Sequence, residues 1–94
     1  MAEQVKTDPT VFTTRAYLLL ETEQYQDALA DTERAIELNP KFVYAYALKG
    51  AVLSSLERWD EAIAALDQGS AIDAKDENIV NIRAQVNEHL AKKQ

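Results

Sequence analysis

The chain echoes itself at an offset of 34 residues. Tyr25 falls on Trp59, Asp27 on Glu61, Ala28 on Ala62 and Leu29 on Ile63, while Ala35 falls on Gly69 and Leu38 on Ile72. Upstream, Phe12 maps to Tyr46 and then Val80, Arg15-Ala16 to Lys49-Gly50 and then Arg83-Ala84, and Leu18 to Val52 and Val86. Unrelated amphipathic helices share a period of about 3.6 residues, but they do not also keep their small residues in phase across the turns. A chain with this echo must stack like units side by side, because one unit alone cannot bury its apolar face.

Within the echo, the segment YQDALADTERAIELNP carries Tyr25, Ala28, Leu29, Ala35, Ile36 and Leu38 at the i, i+3, i+4 spacing of one helical face. Thr32 is the one polar residue on that stripe, and Gln26, Asp27, Asp31, Glu33, Arg34 and Glu37 read as the wet side. Asn39-Pro40 ends the helix, since the residue before a proline is pushed out of the α region. A helix this short is marginal alone in water, so its apolar face needs a partner. Asp8-Pro9 reads as a helix start, an N-cap oxygen followed by a proline at the first helical position. The patterning predicts helices over about 9–22, 24–38, 42–56, 60–72 and 77–92, preceded by a loose tail at 1–8. With 47% apolar residues and only two glycines and two prolines in 94 residues, helices are favoured over a many-turned β fold.

A 34-residue helix–turn–helix unit with these large, small and aromatic signposts resembles the tetratricopeptide repeat. Phe12, Ala16, Tyr25, Ala28, Ala35 and Pro40 stand at the signature positions of a first unit at 9–42. Tyr46, Gly50, Trp59, Ala62, Gly69 and Ala74 do so in a second at 43–76, and 77–94 resembles the first helix of a third, ending as a polar capping helix. The departures are Thr32 where an aromatic is usual, Leu19 where a tyrosine is common, and Ala74 in place of proline. The fold so implied is an all-α, right-handed solenoid of two hairpins plus a capping helix. Small residues at Ala16, Gly50 and Ala84 would let the helices of a hairpin approach closely.

The resemblance also implies a function: a protein-interaction module, an adaptor or co-chaperone-like domain without catalysis of its own. Its first helices would line a concave groove for a peptide or a partner helix. The groove positions would be Thr10, Thr13, Thr14 and Tyr17, then Tyr44, Ala47, Leu48 and Ala51, then Asn78, Asn81 and Gln85, with Tyr44 the strongest anchor. Arg15, Lys49 and Arg83 form a cationic ladder at the repeat spacing. It would either meet an acidic peptide or pair with the surplus of carboxylates, sixteen acidic against ten basic residues. The family's best-known use is a two-carboxylate clamp that grips heat-shock chaperone tails ending Glu-Glu-Val-Asp. Here its asparagine position is Thr14, its lysine position Tyr44 and its arginine position Leu48, so that clamp is missing. An apolar ligand or a partner helix suits the residues present better.

A formal charge of −6 disfavours nucleic acid or an anionic membrane surface as partner. No apolar run approaches the ~18 residues of a membrane span, the opening residues lack a signal peptide's apolar core, and the absence of cysteine favours a cytoplasmic setting. His89 is the only histidine, with no cysteine to pair with, so neither a metal nor a nucleophilic site is expected. Acidic pairs such as Asp60-Glu61 suit a helix start, and there is no Gly-rich phosphate loop, so no catalytic residue and no cofactor is expected. The alternative function is structural. Phe12, Leu18 and Leu20 on an uncovered first helix would meet a second copy to form a homodimer.

Overall fold

The computed structural model describes residues 8–92. The tail expected at the N-terminus falls outside that range but for Asp8. Five α-helices follow one another: α1 Pro9–Glu21, α2 Tyr25–Leu38, α3 Val43–Ser55, α4 Trp59–Ile72 and α5 Glu77–Lys92. α1 packs on α2 and α3 on α4 as antiparallel hairpins, α3 also meets α1, α2 and α5, and α5 closes on α4. The result is an all-α solenoid, with α1, α3 and α5 as successive first helices.

The helix ends explain the boundaries. The Asp8 carboxylate accepts from Thr10 N at 2.9 Å, the N-cap expected before Pro9. Both hairpin turns are the same device, a left-handed residue after the helix: Glu23 at φ 62° and Glu57 at φ 60°. Around the first, Glu23 N donates to Leu20 O and Gln24 N to Leu19 O; around the second, Glu57 N donates to Ser54 O and Arg58 N to Leu53 O. These paired bonds satisfy the last carbonyls of α1 and α3 in a Schellman motif, whose left-handed position usually takes glycine. Glutamate there carries a steric cost of about 1–2 kcal/mol. Glycine pays part of that back in unfolded-state entropy, so Glu23→Gly and Glu57→Gly should each stabilise by about 0.5–1 kcal/mol, read as a raised urea midpoint.

α2 ends at Asn39 in extended backbone (φ −149°, ψ 93°), and α4 ends the same way at Asp73 (φ −149°, ψ 96°). The Asn39 side-chain oxygen Oδ1 accepts from Lys41 N at 3.1 Å and the Asp73 carboxylate accepts from Lys75 N at 3.1 Å. The side-chain turn reproduces at Asp73 what Pro40 adds at Asn39, so Ala74 in place of proline changes nothing in the path of the chain. Asp76 then starts α5 by accepting from Ile79 N at 3.1 Å.

The two glycines are spent inside helices. A Cβ on Gly50 would stand 2.8 Å from both Cγ and Cδ2 of Leu66, and one on Gly69 would run into Ile79 Cδ1 and the Tyr46 Cβ. Ala16 is fully covered as well, but Ala84 is exposed, because no helix packs on that side of α5 among the described residues. For the same reason Val80, the echo of Phe12 and Tyr46, is exposed, and its neighbour Ile79 enters the core instead.

One core cluster joins Ala28, Leu29, Val52, Leu53, Ala62 and Ala65; a second joins Tyr46, Ala47, Leu66, Ile79 and Val86. Thr32, the polar residue on the α2 stripe, is fully buried and donates its hydroxyl to Leu29 O at 2.7 Å, so its burial leaves nothing unpaired. Asp31 corrects the sequence reading. It lies not on a wet face but with its side chain 8% exposed, where Arg15 donates to it from Nε at 2.7 Å and from a terminal nitrogen at 2.9 Å.

Candidate functional site

The inner helices converge on a groove of about 390 Å³. Its lining comes from the C-terminal halves of α1 (Leu20) and α3 (Ala51, Ser54, Ser55) and from the middle of α5 (Ile82, Gln85, Val86, His89), with Trp59 at the start of α4. α5 presents Ile82, Gln85, Val86 and His89 together because they fall at i, i+3, i+4 and i+7. Trp59 is placed by the Schellman turn at Glu57, which swings the chain out of α3 and sets the indole at the groove's edge. There it stacks on the His89 ring, centroids 4.2 Å apart and planes within 19°. Ser54 turns its hydroxyl inward to Gly50 O at 2.8 Å. The lining therefore carries no carboxylate, ammonium or guanidinium, and its one titratable side chain is His89.

Of the positions expected to line the concave face, Ala51 and Gln85 do line this groove. Thr10, Thr14, Tyr17, Asn78 and Asn81 are exposed, and Tyr44 is half-buried. Burial pushes the Tyr44 phenol above its usual pKa, and the nearby Tyr17 phenol adds to the shift, so the two tyrosines share one side of the α1–α3 surface. The Tyr44 ring also meets Phe42, tilted, at 6.3 Å.

Three expected lining residues prove to be core. Thr13 is 1% exposed, Ala47 0% and Leu48 4%, so none of them can meet a ligand on an intact surface. For Ala47 and Leu48 the physical reason is that α3 sits in the middle of the stack, where α1, α2, α4 and α5 bury positions that an isolated hairpin would leave open; Thr13, on α1, lies on the helix that packs against α2 and α3. Thr13 is satisfied locally, its hydroxyl donating to Thr10 O at 3.1 Å.

The cationic ladder is spent on neighbouring helices. Arg15 holds Asp31, Lys49 approaches Glu33 at 3.8 Å, and Arg83 reaches Asp67 at 2.8 Å and the Ser70 hydroxyl at 3.1 Å. Lys49 and Arg83 each pair back onto the preceding second helix, and Glu33 and Asp67 are themselves 34 residues apart. α1 has no preceding helix among the described residues, so Arg15 turns to its own hairpin and also covers the Phe12 ring at 5.6 Å.

Sequence reasoning missed Leu20, Ser54, Ser55, Trp59, Ile82, Val86 and His89 as lining. The i, i+3, i+4, i+7 set on α5 was visible, but the repeat offset alone pointed to its polar neighbours. Among the described residues no group of three or more His, Cys, Asp or Glu could hold a metal ion. No described helix is long and apolar enough to cross a membrane.

Stacked antiparallel hairpins with small residues in the helix contacts define an α-solenoid repeat protein. The sequence model of the family described as tetratricopeptide repeat matches residues 19–86, and the chain belongs to that family. Protein SGT1 homolog of Oryza sativa subsp. japonica is 32% identical over 81 residues, covering 86% of this chain and 22% of its own length. Hsp70-Hsp90 organizing protein of Triticum aestivum is 33% identical over 69 residues, covering 73% of this chain and 12% of its own. The chain thus spans about a fifth or less of these curated relatives. Among solved structures, the Arabidopsis OM64 TPR domain superposes with a TM-score of 0.80 at 26% identity, over 87% of this chain and 68% of that one. The TPR2B domain of yeast Sti1, in a complex described with pHsp70, does so with a TM-score of 0.77 at 26% identity, over 87% and 70%.

Proposed function

We propose that this chain is a protein-interaction module whose concave face, formed by α1, α3 and α5, takes a peptide segment or one face of a partner helix. The observation that carries this reading is the uncharged, largely apolar groove walled by Trp59 and His89. An open apolar slot beside an aromatic anchor is the usual form of a hot spot. The similarity to a Sti1 domain in complex with pHsp70 supports an interaction module in kind. A chaperone or a chaperone–client complex is the class of partner this reading assigns to a co-chaperone-like adaptor, and the cytoplasm is the setting it assigns.

The mode differs from a carboxylate clamp. Thr14 and Tyr44 offer hydroxyls where that clamp needs an amide and a cation, Leu48 is buried, and Arg15, Lys49 and Arg83 are already paired. A peptide ending Glu-Glu-Val-Asp should therefore give no saturable change in the fluorescence of Trp59, the only tryptophan. Saturable binding lost in Lys49→Ala would restore the clamp.

Peptides selected on the chain from a random library test the concave face itself. Tyr44→Ala should weaken their binding by roughly tenfold, the effect of removing one interface anchor. Unchanged affinity would remove Tyr44 from the site.

A homodimer is the second reading, favoured by Leu18 and Val11, which remain 58% and 56% exposed on α1. Sedimentation over a concentration series decides it: a growing weight-average mass supports the dimer, and a constant monomer mass excludes it.

A further inference from the structure

We infer that the segment this groove takes is cationic as well as apolar: a large apolar side chain seated between Ile82 and Ala51, with a lysine or arginine beside it reaching toward Glu57 and Asp60. This rests on the concave-face reading above. Trp59 has two sides. One faces the groove, and the other borders a second cleft of about 450 Å³ lined by Glu57, Arg58, Asp60, Glu61 and Leu90.

Charge separates the two compartments. The groove holds no formal charge, whereas the cleft beyond the indole holds three carboxylates and one guanidinium. Arg58 is committed to Glu61 through two hydrogen bonds of 2.8 Å, and this bonding holds the Glu61 carboxyl below the usual range. Among the described residues Glu57 and Asp60 have no ion-pair partner, and both are exposed. The Schellman turn and the first turn of α4 hold both in the cleft that the indole borders. A ligand whose apolar residue fills the groove thus meets uncompensated negative charge one side chain further on.

The complementary occupant is a segment with a lysine or arginine next to Leu, Ile, Met or Phe. An acidic segment seated in the groove would face like charge at Glu57 and Asp60, within a chain of formal charge −6. The groove so read selects the opposite charge from a carboxylate-terminal tail.

The test is selection from a random-peptide phage library on the full 94-residue chain, followed by titration of the selected peptides by Trp59 fluorescence. The expected peptides are enriched in Lys or Arg adjacent to a large apolar residue. Their affinity should fall severalfold between low and physiological salt, as expected for charges at an exposed rim. The double reversal Glu57→Lys with Asp60→Lys should weaken them roughly tenfold while thermal unfolding confirms that it folds. Selected peptides enriched in Asp or Glu, or indifferent to the double reversal, overturn the charge inference and leave the groove in place. Gln85→Arg, at an exposed lining position, separates the two: peptides that bind it as well as wild type sit elsewhere, and the concave-face reading falls with the inference. A selection that yields no binding peptide counts against both.

Discussion

Leu66→Ala is expected to cost roughly 3–4 kcal/mol, within the ~2–5 kcal/mol observed when a fully buried leucine is truncated and its cavity does not collapse. Leu66 is fully buried on α4 and sits where a Cβ on Gly50 would be, with its Cγ and Cδ2 2.8 Å from that position. It is thus the knob of the second hairpin, and Gly50 is its hole. A small domain holds only about 5–15 kcal/mol in total, so the loss should bring the chain close to unfolding at 37 °C. Gly50→Ala alone should destabilise too, by roughly 1 kcal/mol. The clash with Leu66 exceeds the ~1 kcal/mol that alanine gains over glycine inside a helix. The two changes should not add. With Leu66 shortened, the methyl at position 50 has room and fills part of the void, so the double variant should lose less than the sum by about 1 kcal/mol or more. Urea unfolding followed by circular dichroism measures all three, and strict additivity would mean that these residues do not meet.

Trp59→Ala should act twice. The indole packs against the core cluster of α3, α4 and α5 and stacks on His89, so its loss should cost about 2–3 kcal/mol. That is below the ~3–5 kcal/mol of a fully buried tryptophan because part of the ring faces solvent. It also removes the wall that bounds the groove, so binding of a groove-selected peptide should drop far more than tenfold, as for a central aromatic anchor. Trp59→Phe keeps an aromatic face and should restore most of both. Calorimetry reads the two effects separately. If Trp59→Ala unfolds easily but binds normally in the cold, the residue is structural and the groove lies elsewhere.

Most of the fold was legible because it is local. Asp8-Pro9, Asn39-Pro40 and the 3.6-residue stripes place every helix end within a residue of where it stands, and the 34-residue echo places the hairpins beside one another. The small residues were read correctly at Ala16 and Gly50, since only a close helix contact calls for them there.

What escaped the sequence was set by pairs far apart in it. Asp31 looked solvent-facing because its partner Arg15 lies 16 residues away, and nothing in the α2 stripe announces it. Thr13, Ala47 and Leu48 took lining positions by register, but burial there depends on which helices flank α1 and α3. Trp59 and His89 come from different units, so no single periodicity joins them. The left-handed turns at Glu23 and Glu57 were invisible for a plainer reason: the residue that usually marks such a turn is glycine, and both glycines are used elsewhere. The lesser part of the site was therefore legible. Ala51 and Gln85 came from register, while its aromatic wall and its charge came only from packing.

Amide shift mapping by NMR with a selected peptide addresses the account most directly. Binding through the concave face predicts shifts concentrated at Ala51, Ser55, Ile82, Gln85 and His89 and at the Trp59 indole N–H. Shifts confined to the outer faces of α2 and α4, around Ala30, Arg34, Ala64 and Gln68, would contradict it.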